Sequence, residues 1–253
     1  MILDQFRLDG KRAVVTGASA GLGKGMALGL AEAGADLVII ARSSLLGQTK
    51  SDIEKLGRKC LAIPADLADG DKIPGLVQRI LKETGKIDIL VNNAGIVRRA
   101  PAVDHSLEDW DEVMNLNVRS MFLLSREVGR QMIANRSGKI INIASMLSFS
   151  GGITVPSYSA SKGAVGQLTK ALANEWASRG INVNAIAPGY METDNTDALR
   201  KNAKRCEEIT ARIPCGRWGK PEDMKGAVVF LASEASAYLH GQILLVDGGW
   251  MAR

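Results

Sequence analysis

The chain has 253 residues, of which 46% are hydrophobic, 23% charged and 4% aromatic, with a formal net charge of +5. That balance and a mean hydropathy of +0.01 exclude a disordered polymer, a collagen-like repeat and a disulfide scaffold, and a chain of this size buries roughly three quarters of its unfolded surface. With few aromatics and no run of Lys and Arg, the positive charge reads as a diffuse field for small anions and not as a nucleic-acid surface.

The opening stretch carries Asp4, Arg7 and Asp9 where a signal peptide needs an uninterrupted apolar run. Apolar runs such as residues 37–41 fall well short of the roughly 18 needed to cross a bilayer, so a cytoplasmic protein with no membrane partner is expected. Cys60, Cys206 and Cys215 are expected as free thiols of a reducing compartment. His105 and His240 lack metal-binding spacing, and no metal is expected.

Seven short Val-, Ile- and Leu-rich runs predict strands: residues 13–15, 37–40, 60–63, 87–91, 139–143, 181–186 and 243–246. Their nearly continuous apolarity suits strands covered on both faces. Helical patterns such as residues 21–34 and 70–84 alternate with them, which implies a parallel sheet. No linker divides the chain. The expectation is one doubly wound α/β domain over residues 1–253, with helices on both faces and a late helical insertion, centred on residues 194–211, that forms a substrate loop over about 190–215.

The first strand runs straight into Thr16, Gly17, Ala18, Ser19, Ala20, Gly21, Leu22 and Gly23. Glycines here permit a tight turn and let a pyrophosphate approach peptide N–H groups at a helix N-terminus, as in a Rossmann-type fold. The end of the second strand, where an acid would grip the ribose of NAD, reads Ala41-Arg42-Ser43-Ser44. Arg42 and Ser43 suit a 2′-phosphate, although Arg42 can equally stack on adenine; NAD and NADP both stay open, with a slight physical preference for NADP. After the fourth strand come Asn92, Asn93, Ala94 and Gly95, at the carboxyl edge where ligands collect. Asn92 also reads as a self-bonded turn, and Gly95 as a close approach to a ribose.

Ser145 follows the fifth strand, and Tyr158 and Lys162 stand four apart on one helix face. A tyrosine of ordinary pKa near 10 needs roughly 2–3 units of depression to serve as a base at neutral pH. Lys162 is expected to supply much of this and an oxidised nicotinamide the rest, with Ser145 orienting the substrate oxygen.

Together with Pro188 and Gly189, these motifs resemble the short-chain dehydrogenase/reductase family over essentially the whole chain. The resemblance implies that Tyr158 is the general acid/base, that Lys162 holds the nicotinamide ribose, that Ser145 positions the substrate oxygen and that Asn117 completes a proton-relay tetrad. It further implies that Asp66 and Leu67 meet the adenine and Thr193 the carboxamide, although Asp66 reads equally as a helix N-cap. Family members are usually tetramers, so a homotetramer is expected, with residues 107–134 and 157–178 as interface candidates. Residues 113–117, 140–148, 187–193, 212–219 and 246–250 resemble the family's sugar-acid dehydrogenases. The implied reaction is hydride transfer between NAD(P) and a secondary alcohol or ketone of a sugar acid, 2-deoxy-D-gluconate or 2-dehydro-3-deoxy-D-gluconate. The alternatives are oxidation of gluconate at C5, reduction of a 3-oxoacyl carrier-protein thioester, and, in a different class, a non-catalytic nicotinamide redox sensor, which the complete tetrad argues against.

A sugar-acid carboxylate calls for a fixed cation and polar donors. Arg98 or Arg99, just past Gly95, and Arg205 and Arg217, in or beside the late insertion, are the candidates, each also readable as a solvated surface charge. Met146, Ser148 and Tyr190 are further candidates for the pocket wall.

Overall fold

The computed structural model describes residues 1–42 and 45–253. In chain order these form β1 (Arg12–Thr16), α1 (Gly21–Glu32), β2 (Asp36–Ala41), α2 (Leu46–Lys55), β3 (Cys60–Pro64), α3 (Ile73–Thr84), β4 (Ile89–Asn92), α4 (Leu107–Met114), α5 (Ser120–Asn135), β5 (Gly138–Ile143), α6 (Pro156–Trp176), β6 (Ile181–Pro188), α7 (Asp197–Lys201), α8 (Ala203–Arg212), α9 (Lys225–Ala232) and β7 (Ile243–Val246). The strands pair in parallel in the order β3-β2-β1-β4-β5-β6-β7. All seven predicted strands are present. The fourth starts at Ile89 and not at Ile87, whose N–H is taken by the Gln131 side chain (3.1 Å).

Successive strand residues point to opposite faces. Val14, Leu90, Ile140 and Val183 enter one core with Val77, Ile80 and Val128 of α3 and α5, while Val15, Val91, Ile141 and Ile186 enter a second with Met26, Leu30 and Val228 of α1 and α9. Because both alternating sets are apolar, the strands read as unbroken hydrophobic runs. Every residue of β5 and β6 is buried.

Strand order reverses between β1 and β4, and a crevice opens at their carboxyl ends, where doubly wound sheets bind ligands. Thr16 closes the crevice floor. Its hydroxyl accepts from the backbone N–H of Asn93 and of Ala94, both at 2.9 Å, and the Asn93 amide returns two bonds to the carbonyls of Thr16 (2.9 Å) and Gly17 (3.2 Å). A second buried network ties β4 and β5 to α5 and α6 beneath the site: the Asn92 amide donates to Ser125 and Asn142 (both 2.9 Å), and Asn142 donates to Thr169 (3.0 Å). Asn92 is thus neither a self-bonded turn nor a ligand contact.

The predicted helical stretch over residues 107–134 is interrupted by a π-helical turn at Asn115–Arg119. A widened turn of this kind is rare outside functional sites. It places the buried Asn117 so that its side chain accepts from the Ile96 N–H (2.9 Å) and donates to the Ile96 carbonyl (3.0 Å) and to Ser161 (3.1 Å). After β6, a 3₁₀ turn at Asp194–Thr196 leads into α7 and α8. No helix among the described residues is long and apolar enough to cross a membrane.

Thr16→Val would leave two part-buried N–H groups without their acceptor while preserving shape. A loss of about 2–3 kcal/mol in urea-unfolding free energy is expected; a loss below about 0.5 kcal/mol would show that the brace is dispensable.

Candidate active site

Gly17 and Gly21 adopt positive φ (+64° and +52°), and a Cβ on Gly23 would lie 2.2 Å from the Gly17 carbonyl oxygen. The turn therefore closes only with glycine. α1 starts there with no side-chain cap from Ala20, so its first N–H groups face the crevice ready for an anion. The cleft of about 250 Å³ beside it is lined by Gly17, Ser19, Gly21, Leu22, Gly23, Asn93, Ala94 and Gly95 on one side and by Ser145, Tyr158, Lys162, Pro188, Gly189 and Thr193 on the other. A neighbouring cavity of about 480 Å³ is lined by Ser19, Arg42, Asp66, Leu67, Ala94 and Gly95. The pair suits an extended dinucleotide, with its pyrophosphate over the turn.

The side chains of Thr16 and Asn93, both expected at the cofactor, are also hydrogen-bonded within the fold. The Thr16 side chain is fully enclosed and its hydroxyl is spent on the brace, as is the Asn93 amide; both position the cleft and neither offers it a free side-chain donor. Asp66 accepts from the Ala68 N–H (3.0 Å) but caps no helix, since the 3₁₀ turn that follows starts at Gly70 with Asp69 at its N-cap; its other oxygen lies 3.7 Å from Arg42. Ser43 lies outside the described residues.

Ser145, Tyr158 and Lys162 converge where β5 ends and α6 begins. The Lys162 ammonium is 5.5 Å from the Tyr158 ring centroid and donates to the carbonyl of Ile143 (2.6 Å). Burial lowers Lys162 to about 8. Tyr158 departs from expectation. Burial pushes its phenol above the ordinary range, against the opposing pull of a hydrogen bond with Ser145 and the charge of Arg99. The expected depression by Lys162 is not supplied by the protein alone, because the same desolvation works against both charged forms. Ser145 also accepts from the Leu147 N–H (3.1 Å), which fixes its hydroxyl toward Tyr158.

Beyond these hydroxyls lies a cavity of about 590 Å³ whose wall includes Arg99, Met146, Tyr190 and Arg205. Arg98 turns away, held by two bonds of 2.9 Å to Glu112 and by Asp109 at 3.3 Å. Arg217 is likewise locked in a two-point pair with Asp223 at 2.7 and 2.9 Å, so neither reaches the cavity. Ser148 is a brace as well, donating to the Lys162 carbonyl (2.6 Å) and accepting from the Ser145 N–H (3.3 Å). Sequence reading missed Asn195, Leu199, Arg212 and Trp250, all in the wall. Arg212, the last residue of α8, lies within the expected loop of about 190–215 and could have been found there. Trp250 has no local signal, since only the return of the chain past β7 brings it in.

Residues 17–251 match the family model described as enoyl-(acyl carrier protein) reductase. The chain is 56% identical to the 2-dehydro-3-deoxy-D-gluconate 5-dehydrogenase of Escherichia coli K12, with all of both chains covered. Two solved structures are similar. A candidate 2-deoxy-D-gluconate 3-dehydrogenase from Agrobacterium tumefaciens with bound NADP is 50% identical, with a TM-score of 0.92, and covers 99% of this chain and 100% of its own. A candidate NAD(P)-dependent gluconate 5-dehydrogenase from Beutenbergia cavernae, with NADP at low occupancy, is 51% identical, with a TM-score of 0.96, and covers 98% and 100%. With a glycine cradle, a Ser-Tyr-Lys cluster at the end of β5 and relatives matched from end to end, the chain belongs to the short-chain dehydrogenase/reductase family.

Proposed function

We propose that the protein is an NADP(H)-linked oxidoreductase acting on a secondary alcohol or ketone of a sugar acid, 2-dehydro-3-deoxy-D-gluconate or 2-deoxy-D-gluconate. The observation that carries this reading is that Ser145 and Tyr158 line both the dinucleotide cleft and the cavity beyond it. A substrate held by these hydroxyls would lie where the cavity meets the cleft that would hold the nicotinamide. The cavity wall holds Arg99, Arg205 and Arg212 against one carboxylate, Glu208, a balance that suits a sugar acid better than the acyl chain of a 3-oxoacyl thioester.

The nicotinamide supplies the hydride acceptor for oxidation and the donor for reduction. Ser145 holds the substrate oxygen, and Tyr158 takes the hydroxyl proton in oxidation and returns it in reduction. A working phenolate near pH 7 requires about 4 kcal/mol of stabilisation relative to a free tyrosine, and more here because burial opposes it. Lys162 contributes its charge at short range and anchors the ribose. Asn117 and Lys162 carry the proton onward, Asn117 being fixed to Ser161 on the same helix as Tyr158. NADP is preferred over NAD because no carboxylate follows β2, whereas the Arg42 side chain, 60% exposed and only loosely paired with Asp66, is available to a 2′-phosphate.

The same reading includes a single catalytic domain in which residues 190–215 act as a substrate loop, a homotetramer, and a cytoplasmic setting. Exposed Val103, Leu107, Trp110 and Phe122 on and around α4 and α5, and Tyr238 and Leu245 near the β7 edge, support burial against further copies. The free state of all three cysteines fits a reducing compartment.

Absorbance at 340 nm with both cofactors and a panel of aldonates, ketoaldonates and 3-oxoacyl thioesters tests the substrate class; turnover confined to the thioesters would refute it. Tyr158→Phe should lower kcat by at least about 10³-fold with cofactor affinity retained, and near-normal turnover would contradict the proton transfer. Arg42→Ala should raise KM for NADP at least about tenfold while that for NAD changes little, and equal effects on both would remove the 2′-phosphate contact.

A further inference from the structure

We propose that Arg212 holds the carboxylate of the sugar acid at the end of the cavity away from the reacting carbon. This assignment rests on the sugar-acid reading above and extends it to a specific residue. Of the charged groups in the cavity wall, Glu208 is already spent on Arg205 (3.0 Å). Arg99 donates to the Asn195 carbonyl (3.1 Å) and stands close enough to act on Tyr158. Arg212 has no carboxylate within ion-pair distance among the described residues. Its guanidinium instead lies 4.1 Å over the ring of Trp250.

Trp250 is a firm base for that stack: it is buried and packs edge-on against Tyr190, with centroids 4.8 Å apart. Stacking occupies the flat face of a guanidinium and leaves its N–H donors free around the edge, in the fork that matches a carboxylate at two points. A cation in the last turn of α8 is favourable to the helix dipole in any case, but this does not explain its seating on a buried tryptophan in the cavity wall.

Position adds a consequence for regiochemistry. Ser145 and Tyr158 line both cleft and cavity, whereas Arg212 and Trp250 line the cavity alone. A carboxylate on Arg212 therefore sits apart from the carbon that meets the hydroxyls. In 2-dehydro-3-deoxy-D-gluconate C5 is four bonds from the carboxyl carbon; in 2-deoxy-D-gluconate C3 is only two bonds away. The arrangement favours the former.

The test is steady-state kinetics of the full-length protein with NADP and three substrates: 2-dehydro-3-deoxy-D-gluconate, 2-deoxy-D-gluconate and the neutral 2-deoxy-D-gluconamide. Arg212→Gln should raise KM for the two acids at least about tenfold with kcat lowered less than about threefold, the pattern of lost uniform binding. kcat/KM for the amide should stay within about twofold, and Arg212→Lys should fall between wild type and Arg212→Gln. An unchanged KM for the acids in Arg212→Gln, or equal losses for acid and amide, would overturn the assignment. A wild-type preference for 2-deoxy-D-gluconate would overturn the placement away from the reacting carbon. Wild-type protein inactive on every sugar acid would instead refute the functional reading itself, and the assignment with it.

Discussion

One buried ammonium sets the terms for this site. Lys162 is enclosed by α6 and the end of β5, donates to the last carbonyl of that strand, and is held at about 8 by loss of solvent. The same enclosure raises Tyr158. Each group is worse off charged in isolation, and an ammonium 5.5 Å from the phenol ring favours a phenolate beside it without by itself offsetting the loss of solvent. The site is thus poised and incomplete in itself. On the proposed mechanism, positive charge delivered beside Tyr158 turns it into a base.

The scaffold beneath is built to keep those groups in place. Thr16 and Asn93 lock β1 to β4 at the point where strand order reverses, and the Asn92, Asn142 and Thr169 chain fastens β4 and β5 to α6. The first is part-buried and the second buried, with the Asn92 Oδ1 left without a partner among the described residues. Several residues that look like ligand contacts by type are therefore braces, and the hydroxyls of Ser145 and Tyr158 gain fixed positions from them.

Much of this was legible in the sequence, for a physical reason. Strand runs and the glycine turn are local: an apolar stretch covered on both faces, or a backbone needing positive φ, leaves its mark on adjacent residues. The Tyr158 and Lys162 pair is local too, four positions apart on one helix, and the family resemblance of the assembled motifs added the roles of Asn117 and Thr193. What the sequence hid was direction. Arg98 and Arg99 are neighbours, yet Glu112 captures the first while the second reaches the cavity; only the placement of α4 decides between them. Arg217 was lost to Asp223 in the same way. The π turn at Asn115–Arg119 was invisible because its residues continue an ordinary helical pattern, and Trp250 depends on a contact closed by distant chain.

On the proposed mechanism Tyr158 is made acidic by Lys162 acting together with the oxidised cofactor. The pH dependence of kcat/KM for sugar-acid oxidation, measured with wild type and Lys162→Met at saturating NADP, tests it most directly. In the wild type the rate should rise with pH through an apparent pKa below that of free tyrosine, and the limb should move upward in the variant. A limb that stays in place when the lysine is replaced, in an enzyme that still turns over, would contradict it.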